Sequence, residues 1–390
     1  MTPLNKNIQV FLSLVRAGLW EHDVQLASFG KIDFNDVYRL AAEQSVVGLV
    51  AAGIEHIIDV KVPQEVALTF AGSALQLEQQ NKAMNQFIGV LIEKLRAADI
   101  YALLVKGQGI AQCYERPLWR SCGDIDFFLS PDNYNKAIEY LSPLASSVGV
   151  FEVYKCHLPL TIDNWEVELH GSLRSGLWAK LDKVIDEVQS DVFYGGNVRS
   201  WINDYTQVFL PRADEDIIFV FSHILQHFFK EGVGLRQICD WCRLLWTNHD
   251  VLNVAMLESR LKRSGIMTEW KCLSALAVKY LGMPSDVLPF YSSNRKWLNK
   301  ASRIMDFVLE TGNFGHNREK EYYSKHSFVV YKMISLGRYS KDIIHHFSIF
   351  PKDSIKTWCS IVRTGIRAAI QQIKPSRFND SRRTLVDSIQ

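Results

Sequence analysis

The 390-residue chain is 47% hydrophobic and 22% charged, a balance that excludes a disordered polymer and gives length enough for two or three domains. Its formal net charge of +2 excludes bulk charge as a pointer to a nucleic-acid partner. No apolar run reaches the roughly 18 residues a membrane helix needs, and no basic stretch with a clean apolar core opens the chain, so neither a transmembrane segment nor a signal peptide is expected.

In chain order, residues 5–97 are helical in pattern. Apolar residues recur at three and four spacing in NIQVFLSLV, in FNDVYRLAAEQSVVGLVAAGI and along residues 63–95, and Asp33 is placed to cap the second of these. Around residue 98 the period changes. Residues 100–105 read as a strand, 109–114 as a short helix and 125–129 as a strand. Pro131-Asp132 opens a helix to residue 141, with Pro143 just past its end. Residues 148–154, 158–162 and 165–169 read as three more strands, the last two joined at Asp163-Asn164. Residues 192–210 are ambiguous around Gly195-Gly196. The helical period returns over 214–281. The tail from 318 is helical again, with breaks at Gly337 and Pro351. No repeat or low-complexity tract interrupts this layout.

The expected class is α+β: an N-terminal helical region (1–97), an α/β core with a small mixed sheet (98–212), a C-terminal helical domain (213–350) and an amphipathic basic tail (351–390). Seven irregularly spaced cysteines suit a reducing compartment, so the chain reads as soluble and cytoplasmic.

The chemistry concentrates in residues 103–129, LLVKGQGIAQCYERPLWRSCGDIDFFL. Asp124 and Asp126 are two apart in a strand, so both carboxylates point to one face. An isolated D-x-D is ordinarily a solvated edge. Here the pair is flanked by Ile125 and by Phe127-Phe128-Leu129, and burying adjacent carboxylates without a cation is costly. Lys106, Gly107, Gln108 and Gly109 form a turn after an apolar strand, where glycine lets backbone N–H groups approach phosphate. The Gly-Lys-Ser/Thr of a P-loop is missing. In EVELH, Glu166, Glu168 and His170 share one strand face, with Val167 and Leu169 on the other. Two aspartates, a glycine turn and a third carboxylate at Glu168 can hold Mg²⁺ or Mn²⁺ against a nucleoside triphosphate.

Arg120 reads equally as a triphosphate contact or a loop arginine. Cys239 and Cys242 form a lone C-x-x-C in a helical pattern and read as two half-buried thiols rather than a zinc site. His223 and His227, four apart on a helix, read as packing or polar contacts before a metal face. Residues 355–373 form an amphipathic helix. Ile355, Trp358, Cys359, Val362, Ile366, Ala369, Ile370 and Ile373 make its stripe, and Lys356, Arg363, Arg367 and Lys374 its basic flank. Packing on the domain is the favoured reading, and a peripheral contact with an anionic membrane or polyanion is the other.

At these residues the chain resembles the DNA polymerase β-like nucleotidyltransferase superfamily, and within it a bacterial branch of uncharacterised nucleotidyltransferases. The carriers are Lys106-Gly107, Arg120, Asp124-Ile125-Asp126 and Glu168-Leu169-His170. SHILQHFFKEGVGLRQICD adds His223, His227, Arg236 and Asp240. The resemblance spans about residues 85–250 and leaves the N-terminal helices and tail outside. The chain departs from the superfamily's usual Gly-Ser or Gly-Gly turn, with Gly107-Gln108-Gly109 and a long gap to Asp124.

The resemblance implies a two-metal enzyme. Asp124 and Asp126 would hold both ions, and Glu168 would bind the catalytic ion and help deprotonate an acceptor hydroxyl. Lys106, Gly107, Gln108, Gly109, Arg120, His170 and Arg236 would line the nucleotide. The donor is an NTP, and the acceptor is a small molecule, glycan or peptide. The alternatives are a non-catalytic nucleotide-binding module, or a membrane- or nucleic-acid-associated interaction protein acting through the tail.

Overall fold

The computed structural model describes residues 5–151, 156–196, 198–315 and 328–373. The chain divides into two compact units, residues 1–318 and 319–390. The first unit therefore takes in the expected regions 1–97 and 98–212 and most of 213–350.

The first unit opens with four helices, α1 (Lys6–Trp20), α2 (Phe34–Glu43), α3 (Val47–Glu55) and the 34-residue α4 (Gln64–Ala97). Asp33 caps α2 by accepting the Asn35 and Asp36 backbone N–H groups. The mixed core follows with β1 (Ala102–Val105), the single-turn α5 (Gly107–Ala111), β2 (Asp124–Leu129) and α6 (Pro131–Leu141). Ser130 caps α6 and Pro131 supplies its first residue, whose missing N–H costs nothing there.

Next come β3 (Ser147–Val148), β4 (His157–Ile162) and β5 (Trp165–His170). Asp163 and Asn164 both adopt positive φ (48° and 67°), the two-residue hairpin conformation these residue types tolerate. The ambiguous stretch 192–210 resolves into the end of α7 (Ala179–Tyr194) and a separate hairpin, β6 (Arg199–Asn203) and β7 (Thr206–Leu210). The helices α8 (Ala213–Lys230), α9 (Leu235–Asn248), α10 (Val254–Ser264), α11 (Met267–Leu281) and α12 (Arg295–Thr311) complete the unit. The fold is α+β with a small mixed sheet.

The sheet has the order β1-β2-β5-β4-β3. Only β2 and β5 pair in parallel; the other pairs are antiparallel. One face is the core. Ile125, Phe127, Leu129, Leu158, Leu160, Val167 and Leu169 point into it, and α4 covers them with Met84, Ile88, Leu91, Ile92 and Leu95. Tyr134, Ala137 and Leu141 of α6 join the same cluster. Strand alternation then sends the carboxylates and imidazoles of β2, β4 and β5 to the opposite face.

Two readings of the tail change. In the second unit, α13 (Phe328–Ile349) runs straight through Gly337, and the expected break there is absent; α14 (Pro351–Ile373) starts at the expected proline and packs against α13. The start of the expected apolar stripe is not buried within its own unit. Ile355 and Trp358 are 53% and 40% exposed, while Asp353, Ser354 and Thr357 are the buried positions. Lys356 pairs with Asp353 at 2.8 Å. Lys374 lies outside the described residues. No described helix is long and apolar enough to cross a membrane.

One close approach bears on the site. Gly48 of α3 faces the Trp119 carbonyl in the loop that feeds β2, and a Cβ at Gly48 would stand 1.9 Å from that oxygen. Gly48→Ala should therefore push the loop outward and cost about 1–3 kcal/mol. A urea denaturation midpoint equal to that of the parent protein would show that the contact relaxes freely.

Candidate active site

The parallel register of β2 and β5 sets Asp124 opposite Glu166 and Asp126 opposite Glu168. Oxygens of Asp124, Asp126 and Glu168 all lie within 4.8 Å of one another, and Asp126 is only 1% exposed. The antiparallel register of β4 on β5 adds a residue that the sequence reading missed: His157 sits opposite His170, and the two rings stack at 4.8 Å. Its signal was in the sequence. A two-residue turn at Asp163-Asn164 pairs Ile162 with Trp165, and counting outward pairs His157 with His170.

Cations and imidazoles offset the clustered anions. The Lys106 Nζ lies 2.6 Å from the Asp126 Oδ1. His170 Nε2 is 2.7 Å from the same oxygen and 3.3 Å from Glu168 Oε2, and His157 Nε2 is 3.0 Å from Glu168 Oε2. Carboxylates only accept, so His170 Nε2 carries the proton that it donates to Asp126.

Burial works against the Lys106 ammonium, but Asp126, Asp124 and Glu168 outweigh it and hold its proton above the usual lysine value. Asp126, and after it burial, push the Asp124 carboxyl above its ordinary value, with Lys106 and Arg236 pulling back. Burial also opposes the charge on Glu168. The hydrogen bonds from His157 and His170 and the charge of Lys106 win, and hold Glu168 well below the carboxylate range. One face of the sheet thus presents one carboxyl reluctant to ionise and one held ionised.

The remaining expected residues fall into two groups. Lys106 and Arg236 stand by the carboxylates. Lys106 takes a positive φ of 57° at the end of β1, and Arg236, at the start of α9, donates to the Ser121 carbonyl at 2.9 Å while acting electrostatically on Asp124.

The side chains of Gln108 and Arg120 and the close surroundings of Gly107 and Gly109 are engaged with the scaffold. Gly107, at φ +39°, has Cys122 Sγ 3.2 Å from where a Cβ would be. Gly109 is already helical and pressed against Leu210 of β7. Gln108 turns its amide inward and donates to Asn81 Oδ1 at 2.7 Å; Asn81 in turn donates to the Leu118 and Arg120 carbonyls. Arg120 is buried in a two-pronged pair with Asp240, at 3.0 and 2.6 Å, and Tyr114 donates to the same carboxylate at 2.8 Å.

Cys239 and Cys242 are fully buried rather than half-buried, and burial pushes both thiols up. Neither joins a metal-ligating cluster among the described residues. His223 and His227 touch each other through their Nε2 atoms at 3.2 Å. Burial, and then the charges of Lys106, His227 and His170, hold His223 well below the usual histidine value. Lys106, His170 and Glu168 are among the charges that act on His223, so this part of α8 lies within electrostatic reach of the site.

The model of a family described as uncharacterised nucleotidyltransferase matches residues 30–282. The chain belongs to that family. A comparison with curated proteins finds no match, and one with solved structures finds none. The family's span exceeds the 85–250 that carried the resemblance. In this nucleotidyltransferase it reaches back through α2, α3 and α4 and forward to the end of α11, so these helices belong with the sheet. The oxygen donors Asp124, Asp126 and Glu168 suit a hard divalent cation, and Lys106 already fills the need for positive charge among them.

Removing one partner of the buried Arg120–Asp240 pair leaves the other charge stranded. Arg120→Met should cost about 3–5 kcal/mol in urea unfolding. An unchanged stability with lost nucleotide binding would return Arg120 to the ligand.

His223 stays neutral in the folded protein, whereas the unfolded chain binds a proton there as pH falls through the ordinary histidine range. Stability therefore declines with falling pH in that window, by up to about 1.4 kcal/mol per pH unit for one proton. His223→Gln should flatten that slope between about pH 7 and pH 5; equal slopes in calorimetric melts would remove the assignment.

Proposed function

We propose that the protein transfers a nucleoside monophosphate from an NTP to a hydroxyl or phosphate of an acceptor, with Mg²⁺ or Mn²⁺ at Asp124, Asp126 and Glu168. The observation that carries this reading is the β2–β5 register, which puts Asp126 beside Glu168 and Asp124 on the same face. A parallel pair flanked by antiparallel strands, with carboxylates on both of its members, also supports a polymerase β-like core. Divalent ions held there would polarise the α-phosphate and stabilise the pyrophosphate leaving group.

The chain's own residues divide the remaining work. Lys106 and Arg236 offer positive charge beside the carboxylates, where a triphosphate brings its negative charge. Lys106 must give up Asp126 for this, and the phosphates compensate it. Against its burial, Glu168 is held ionised by His157, His170 and Lys106, which suits the part of metal ligand. His157 and His170 orient Glu168. The set Asp124, Asp126 and Glu168 is complete, which favours turnover over nucleotide binding alone. The acceptor class stays open among small molecules, glycans and peptides.

Asp126→Asn should lower metal-dependent pyrophosphate release by on the order of 10³-fold, the worth of several kcal/mol of charge stabilisation, without unfolding the protein. The parent protein should melt higher with NTP and Mg²⁺ together than with either alone, since a ligand of the native state raises apparent stability. Turnover that survives Asp126→Asn and Glu168→Gln would end this reading.

A further inference from the structure

The geometry points to a second, nitrogen-bearing metal position at His157, Glu168 and His170, built for a borderline first-row ion such as Zn²⁺ and sharing Glu168 with the oxygen-only position. It deepens the nucleotidyl-transfer reading by naming the kind of ion, and rests on that reading only for its use in the reaction.

Three observations carry it. The first is convergence. His157 and His170 come from paired positions on neighbouring strands, and both Nε2 atoms lie near one oxygen, Glu168 Oε2, at 3.0 and 3.3 Å. One donor atom from each of the three residues lies within 4.8 Å of the others.

The second is spacing. Ligand atoms about 2.1 Å from a common ion are about 3.0 Å apart along an octahedral edge and about 3.4 Å along a tetrahedral one. The separations found here match those edges. An ion can bind there with little movement of the side chains.

The third is the donor chemistry. Mg²⁺ takes oxygen and rarely imidazole, whereas Zn²⁺ readily accepts two imidazoles with a carboxylate; Mn²⁺, though it prefers oxygen, serves as a paramagnetic probe of such a site. An all-oxygen requirement is met by Asp124, Asp126 and Glu168 alone, and the two imidazoles beside Glu168 add a donor set of a different kind. Both imidazoles are largely shielded but not sealed, with side chains 15% exposed, so an ion has a way in. Glu168 has a second carboxylate oxygen for the neighbouring position, which makes it the bridge between a hard ion and a borderline one.

The test needs no nucleotide. Protein stripped by a chelator is loaded with one and then two equivalents of Mn²⁺, and pulsed EPR reads the ¹⁴N couplings to the ion. Two imidazole nitrogens are expected in the parent protein, and one each in His157→Gln and His170→Gln. Zn²⁺ affinity, measured by competition with a chromophoric chelator, should fall at least about 100-fold in each variant, because a direct ligand is worth more than the outer-shell contacts whose loss costs 10–100-fold. Bound Mn²⁺ without ¹⁴N coupling at either loading would overturn the proposal, as would unchanged Zn²⁺ affinity in both variants. If a variant fails to fold by circular dichroism, the parent spectrum decides alone. Failure of the transferase reading looks different: NTP turnover indifferent to Asp126→Asn, with the nitrogen couplings intact.

Discussion

Mutual repulsion among Asp124, Asp126 and Glu168 is the constraint on which the site depends. The β2–β5 register brings these carboxylates within 4.8 Å on a poorly solvated face, where the folded chain tolerates them only with compensation. Lys106 and two imidazoles supply it. The uneven outcome, Asp124 pushed towards protonation and Glu168 held ionised, follows from which anion each neutralising group reaches. A divalent cation relieves the same repulsion more completely, so the apo arrangement reads as a site held in waiting by a lysine.

That arrangement is costly to hold, and the surrounding structure supplies the rigidity. The hydrophobic face of the sheet is pinned to α4, which leaves the other face nowhere to turn. The loop between α5 and β2 is tied at several points. Gln108 and Asn81 bind it to α4, Arg120 and Tyr114 bind it to Asp240 of α9, and Gly48 lets α3 approach it closely. Buried pairs of this kind add little net stability, but they leave few alternative positions for the strand that follows. The side chains between Lys106 and Asp124 thus tie the loop to α4 and α9, while Lys106 stands among the strand carboxylates.

The helices behind the site carry a further polar layer. His223 and His227 of α8 meet edge to face, with ring centroids 4.3 Å apart and Glu231 3.2 Å from His227. Held largely neutral by its surroundings, His223 adds no extra cation to a site that already has Lys106. The family's span includes α8 through α11 as well as the sheet.

Local pattern was enough for much of this. The apolar flanks of Asp124 and Asp126, the alternation in EVELH and the Asp163-Asn164 turn depend on near neighbours in the chain, so the strands, the shared face and the α+β class were legible from the sequence. It also contained, unused, the count that pairs His157 with His170. Long-range partners were not legible. Gln108 and Arg120 look like phosphate contacts beside a glycine turn, and only the fold shows that Asn81 and Asp240, 27 and 120 residues away, have taken them. The exposed start of the α14 stripe and the full burial of Cys239 and Cys242 were equally out of reach, because a periodic pattern tells which residues share a face but not what covers it. Sequence determined which side chains were offered to one surface; tertiary packing decided which of them stayed free for chemistry, since burial and hydrogen-bond partners are set by residues far away in the chain.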